Sequence, residues 1–313
     1  MYGSIGGKLV EYVKGLVSAI IPTYHRSDTI VRAVDSVLSQ TYQRIECIVV
    51  NDNTPGDEYS IKLHQELGKY IENGQVIFLE QPVHKNGAAA RNYGIKNAQG
   101  EFIAFLDDDD WWKPDKIEKQ VKYINKFDDD CACISTLVEY YRDGRVIRKT
   151  LPYDSGKIYV KILGREIEVT TCSVLIRRTC LDDTGYFDEN LKRHQEIQLL
   201  ANLAYKYNIQ LLPEYLTCVC IEDIINKPDI ESLLKIKKDF LKSVQPILER
   251  LAKSERDSII AQHRFEIAYR KLSEKRYKSA MADLLTIIKR PKTIYKLCKR
   301  VVRRVRETRC IKK

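Results

Sequence analysis

The chain has 313 residues, 44% of them apolar, long enough for one large domain with a sizeable core and a smaller appendage. No stretch approaches 18 uninterrupted apolar residues, which argues against a membrane span, and Lys8, Glu11 and Lys14 break up any apolar leader that would read as a secretion signal. The net charge of +10 is unevenly placed: residues 289–313 hold 12 Lys/Arg and one acid, leaving 41 basic and 42 acidic groups before them, so the body is neutral and the tail carries the charge.

Nine cysteines, an odd number with no Cys-x-x-Cys pair, read as reduced thiols of a cytosolic chain. Cys131/Cys133 and Cys218/Cys220 read as small buried side chains on strands, because no set of histidines lies near them to complete a zinc site.

Residues 1–15 read as a flexible lead-in. A first strand follows at 16–22, then a helix capped by Ser27 with Ile30, Val34, Val37 and Leu38 on its apolar face. A second strand at 46–51, a helix marked by Tyr59, Leu63, Leu67 and Ile71, a third strand at 76–79 and a helix at 88–98 lead to a fourth strand from Phe102. This alternation predicts a mostly parallel, doubly wound α/β sheet. The turn after the first strand, Pro22-Thr23-Tyr24-His25-Arg26, contains no glycine. Dinucleotide-binding and triphosphate-cradling turns need several there, so dehydrogenase and P-loop readings fall.

The fourth strand is an apolar run followed at once by Asp107, Asp108, Asp109 and Asp110. Ligands of such sheets bind beyond the carboxyl ends of the strands. In extended chain Asp107 and Asp109 share a face, and carboxylates that close call for a cation. A hard divalent ion, Mn²⁺ or Mg²⁺, with substrate phosphates completing its shell fits this pattern. A calcium loop does not, since Trp112 stands where a glycine is required.

Beyond Pro114 the alternation gives way to a mixed lobe. A helix runs to about 127, strands at 132–141 and 145–151 flank Asp143-Gly144, and a strand is expected at 170–176. A turn at 185–189, a helix at 196–207 and short strands at 209–212 and 215–221 complete it. The domain spans 16–225, with its halves meeting at 112/113. From about 226 the chain reads as helical, with breaks near Pro246 and Pro291.

The ordered motifs Ser18-Ala19-Ile20-Ile21-Pro22-Thr23-Tyr24, Val49-Val50-Asn51-Asp52, Asn86-Gly87-Ala88-Ala89-Ala90-Arg91-Asn92 and Phe105-Leu106-Asp107-Asp108-Asp109-Asp110 closely resemble family-2 glycosyltransferases of the GT-A fold. Lys192-Arg193-His194-Gln195-Glu196 looks like that family's later acidic motif, with Glu where Asp is common. The resemblance covers roughly residues 16–220. It implies a nucleotide-sugar donor, with uridine the favoured base, a divalent metal, and transfer to an acceptor hydroxyl with inversion. Asp109 with Asp107 would hold the metal, and Asp52 would accept from a uracil N–H. Pro22, Thr23, Tyr24, Arg26, Gly87, Arg91 and Asp108 would line the donor site, Tyr24 by stacking. Glu196 would take the proton. Trp111, Trp112 and His194 are candidate acceptor or diphosphate contacts, the tryptophans equally candidates for packing under the loop.

Residues 289–313 place Ile294, Leu297, Val301, Val302 and Val305 among basic side chains at roughly helical spacing. A basic amphipathic helix suits an anionic membrane surface, here the inner face of the plasma membrane, and a glycan or lipid-linked acceptor would make that location useful. Nucleic acid is not an expected partner, because no aromatic interleaving or base-reading module accompanies the charge. Two alternatives stand: a catalytically silent relative that binds a nucleotide sugar or a membrane, and a sugar-1-phosphate nucleotidyltransferase. The second should carry a glycine- and basic-rich loop after its first strand.

Overall fold

A computed structural model describes residues 2–5, 8–221, 228–288, 294–295, 297–298 and 302–303. β1 (Tyr2–Ile5) and β2 (Lys8–Glu11) form a two-stranded antiparallel ladder ahead of β3 (Val13–Thr23). The segment read as a loose lead-in is therefore largely in strands. Its anchor is Tyr12, which is buried, donates to Asp182 and lies under the Arg178 guanidinium.

Next come α1 (Ile30–Leu38), β4 (Ile45–Asn51), α2 (Glu58–Glu72), β5 (Val76–Glu80), α3 (Gly87–Asn97) and β6 (Gly100–Phe105). β3 pairs in parallel with β4 and β6, and β4 with β5, giving the order β5-β4-β3-β6. Side chains of β3 alternate between two cores. Ile20 packs with Ile48 and Val50 under α3, and Val17, Ala19 and Ile21 pack with Val34, Val37 and Leu63 on the opposite face. Strand order reverses between β3 and β6, so Thr23 and the four aspartates open into one crevice. α3 lies unusually close to the sheet: a Cβ at Gly94 would stand 2.5 Å from Ile20 Cγ2.

The second half adds β7 (Trp111–Trp112), α4 (Lys116–Ile124), β8 (Cys131–Arg142), β9 (Arg145–Lys149), α5 (Tyr159–Leu163), β10 (Val174–Arg177), α6 (Arg178–Thr184), α7 (Gln195–Lys206) and β11 (Asn208–Cys220). The nine-stranded sheet continues β10-β8-β11-β7, with β9 on β8, and β10 runs antiparallel to both β6 and β8. Expectation and structure part in three places. The strand expected at 170–176 is a 3-10 turn at Thr171–Ser173 followed by the short β10. The two strands expected at 209–221 are one, β11, whose register shifts between Leu212 and Tyr215 because Pro213 has no N–H to donate. α5, α6 and β7 carried no periodic signal long enough to read.

Past 228 come α8 (Ile230–Ser243), α9 (Gln245–Arg250), α10 (Lys253–Ser273) and α11 (Tyr277–Ile288). The boundary expected at 226–228 and most of the basic tail lie outside the described residues. Among the described residues no helix is long and apolar enough to cross a membrane.

Candidate active site

Two cavities share the seam at the end of β6. The first, about 500 Å³, is lined by Pro22, Thr23, Tyr24, Arg26, Asp52, Gly87, Arg91, Asp107, Asp108 and Asp109, with His84, Lys85, Asn86 and Ala90. The second, about 340 Å³, lies on the other side of the same loop, with Asp110, Arg165, Cys172 and Glu196 among its walls. Arg91 and Asp107 belong to both. The lining of the first cavity, drawn from positions 22 to 109, converges because most of it follows a strand or opens a helix at the crevice.

In the first cavity Asp52 follows β4 and is almost completely buried. Its Oδ1 accepts from Gln81 Nε2 (2.6 Å) and from the Lys85 amide (3.1 Å). Oδ2 lies 3.1 Å from His84 Nδ1, but that nitrogen bonds the Asp52 carbonyl at 3.0 Å, which leaves Oδ2 with no hydrogen bond. Burial pushes the Asp52 carboxyl above its ordinary range, opposed by the Lys85 amide and His84. Tyr24 is stacked between His25 (3.8 Å) and His84 (3.9 Å), so a base reaching its ring must displace one of them.

α3 opens at the cavity with Asn86 as its cap, the side chain accepting from the Ala88 and Ala89 amides. One turn on, Arg91 donates to Asp107 and, at 3.2 Å, to the Gly87 carbonyl. Gly87 leaves the guanidinium its space, since a Cβ there would meet Nη1 at 3.0 Å. The buried Nε–H of Arg91 has no partner.

Arg26 donates to Asp109 and, at 3.3 Å, to Asp108; Arg32 holds the Asp109 carbonyl from above the Trp111 ring. Asp110 accepts from the Cys220 amide at 2.9 Å, tying the loop to β11. Burial raises Asp108 to about 6, offset in part by Thr23 and Arg26. Burial also raises Asp109 and, together with repulsion from Asp107 and Asp109, lifts Asp110 well above the usual carboxylate range. Crowded carboxylates that raise one another in this way form a donor set that suits a divalent cation, and Arg26, Arg32 and Arg91 meet the loop. Among the described residues the ligand atoms of Asp107, Asp110 and Cys172 lie within 4.8 Å of one another, while the Asp109 carboxylate is turned to Arg26.

In the second cavity Glu196 stands in the first turn of α7. Burial raises its carboxyl, opposed by the helix amides, Arg165 and Arg91 and reinforced by Asp107. Glu168, across the cavity, is held by Tyr140 (2.6 Å) and Arg148 (2.5 Å).

Three candidates do not line the cavities: the two tryptophans take the packing role left open for them, and His194 points elsewhere. Trp112 is buried, donates from Nε1 to the Cys172 carbonyl (2.9 Å) and packs under Lys116. Trp111 is sandwiched by Arg32 and Tyr141, and neither tryptophan lines either cavity. His194 has a left-handed backbone (φ 67°), which turns its ring away from Glu196 and into the C-terminal helices, where Lys237 meets it at 3.0 Å. Sequence reasoning in turn missed His84 and Lys85, a basic pair directly before the Asn86-Gly87 signal. It also missed Arg165, which sits in a left-handed turn between elements too short to predict.

This sheet order, with an acidic loop at its reversal, is the GT-A class of α/β fold. Residues 18–185 match Glycosyl transferase family 2, more than half of the chain, and the chain belongs to that family. It is 39% identical over 198 residues to TuaG of Bacillus subtilis (strain 168), a glycosyltransferase named for teichuronic acid biosynthesis, covering 62% of this chain and 73% of that one. It is 33% identical over 195 residues to the uncharacterized glycosyltransferase RC0461 of Rickettsia conorii, covering 59% of this chain but 30% of that relative's length. Among solved structures, S. aureus TarS 1–349 in complex with UDP-GlcNAc superposes with a TM-score of 0.65 at 18% identity, over 92% of this chain and 89% of that one.

Proposed function

We propose that this chain transfers a sugar from a UDP-sugar to a hydroxyl of a glycan or lipid-linked glycan, with inversion at the anomeric carbon. One observation carries the reading. The first cavity is lined by Asp52, whose buried Oδ2 has no hydrogen bond, and by Arg91, whose buried Nε–H has no acceptor, so a small movement of either side chain brings an unsatisfied group to a ligand. A uracil N–H and a diphosphate oxygen satisfy the two in turn, and unsatisfied buried groups of this kind are otherwise costly.

The sugar would then sit at the seam, beside Asp107, facing the second cavity. Glu196 takes the proton of the acceptor hydroxyl there, the acceptor oxygen bonds the anomeric carbon, and the bond to the diphosphate breaks. A carboxyl raised by burial is the stronger base for that task. When bound, a divalent ion supplies charge stabilisation for the departing diphosphate. Asp107 and Asp109 would hold it, because both line the first cavity. Asp110 and Cys172 face the second, and burial with the neighbouring Asp110 charge keeps the Cys172 thiol protonated, a poor ligand for a hard ion. Arg26 and Arg91, now paired with the acids, are placed to turn to the diphosphate.

WfaP of Escherichia coli, 40% identical over 109 residues (35% of this chain, 41% of that one), is named a UDP-Glc:α-D-GlcNAc-diphosphoundecaprenol β-1,3-glucosyltransferase. A mannosyltransferase from Pyrobaculum calidifontis with a TM-score of 0.54 was solved with GDP-Man and Mn²⁺. The first name agrees with the UDP-sugar donor proposed here; the second, at 13% identity and with a GDP-sugar, agrees only with a divalent metal. The test is thermal stabilisation by UDP, GDP and dTDP, each with Mn²⁺ or with chelator. The reading expects a shift with UDP that chelator removes; no shift with any nucleotide overturns it.

A further inference from the structure

The C-terminal helices reach the candidate base through one buried lysine. Lys237 on α8 is 2% exposed. Its ammonium stands 3.0 Å from His194 Nε2 and 3.2 Å from His263 Nδ1, and it donates to Glu266. An ammonium has three N–H donors and no acceptor, so both imidazoles must offer it a lone pair. The proton of His263 is then on Nε2, where it meets the Leu163 carbonyl at 2.9 Å. The neutral state this requires agrees with burial and the Lys237 charge, which hold both rings far below the usual imidazole range.

Two routes lead from Lys237 to Glu196. His194 is the cap residue of α7, two positions before Glu196, and its carbonyl accepts the Gln198 amide. Glu266 accepts from Lys237 and also from Arg165 Nη1 at 2.8 Å, while Arg165 lines the second cavity and lowers the Glu196 carboxyl. Arg165 thus pairs with Glu266 and acts on Glu196 through its charge across the second cavity, and Lys237 sets how strongly Glu266 pulls on it.

We propose that Lys237 is a positioning residue for Glu196, and that the α8–α10 pair is a working part of the transfer site. The role of Glu196 as base rests on the function proposed above; the positioning itself does not. Lys237 is faced by His194, His263 and Glu266, and Glu196 by Arg165, Arg91, Asp107 and the amides of α7. Replacing Lys237 with Met leaves Glu266 uncompensated, which draws Arg165 away from Glu196. Replacing Glu266 with Gln releases Arg165 towards it.

The experiment is a carbon-13 NMR titration of glutamate side-chain carboxyls, with Glu196 assigned by its loss in Glu196→Gln. Lys237→Met should move the Glu196 midpoint up, Glu266→Gln should move it down, and Lys237→Arg should stay near the parent. Release of UDP from UDP-glucose and UDP-N-acetylglucosamine should fall roughly tenfold or more in Lys237→Met, with nucleotide-induced stabilisation retained. An unmoved midpoint in the folded variants, or shifts of the same sign, overturns the positioning role. If Lys237→Met does not fold, the downward shift in Glu266→Gln decides. Full activity in Glu196→Gln would remove the base assignment and leave the titration result standing.

Discussion

At the scale of single residues the account turns on atoms lacking partners. Asp52 keeps one oxygen bonded to Gln81 and Lys85 and the other without a hydrogen bond, 3.1 Å from His84 Nδ1. Asn at that position can keep the first pair but puts an N–H where the uracil N–H must donate. Asp52→Asn should therefore weaken UDP binding by about ten- to a hundredfold, the worth of one hydrogen bond to a charged group, as titration calorimetry would measure. Unchanged affinity would place the base elsewhere. His194 teaches the complementary lesson. Its sequence neighbours pointed to the diphosphate, but a left-handed backbone and a lysine 43 positions later direct the ring away from the site. No local pattern encodes a contact of that range.

At the scale of elements, what the sequence made readable follows from length and period. β3, β4, β5 and β6 are apolar runs at regular intervals separated by helices, the first two of them amphipathic, and the donor-side residues follow the strands' carboxyl ends, so order along the chain translated into place in the crevice. The second cavity is built differently, from the first turn of α7 and from the β9–β10 connection, where no period exists to read. Of its walls only Glu196, Asp107 and Arg91 were found in advance. α3 couples the two cavities, since it carries Asn86, Gly87 and Arg91 and lies on the sheet at Gly94. Gly94→Ala would gain about 1 kcal/mol in helix propensity, yet its methyl would meet Ile20 at 2.5 Å and Val50 at 3.2 Å. Overpacking of about 1–3 kcal/mol should prevail, lowering the urea midpoint and weakening UDP binding together as α3 is pushed outward. A more stable variant would contradict this packing.

At the scale of the molecule, charge and exposed apolar surface gather at one end. Among the described residues, eight of the fourteen exposed large apolar side chains lie between 269 and 302, with Tyr277, Met281 and Leu285 forming a ridge at four-residue spacing on α11. The 12 basic residues of 289–313 follow directly. We propose that apolar ridge and basic tail together engage an anionic lipid surface, where each basic residue would contribute about 1 kcal/mol. Arg303 lines the second cavity and donates to the Leu151 and Pro152 carbonyls. The chain should sediment with phosphatidylglycerol vesicles but not with phosphatidylcholine, and Met281→Asp with Leu285→Asp should weaken that binding. Self-association without lipid binding would assign the ridge to a second copy instead. The most direct test of the whole account is UDP release by Asp109→Ala with saturating UDP-sugar and Mn²⁺. A fall of roughly a hundredfold or more is predicted; turnover equal to that of the unaltered chain would contradict it.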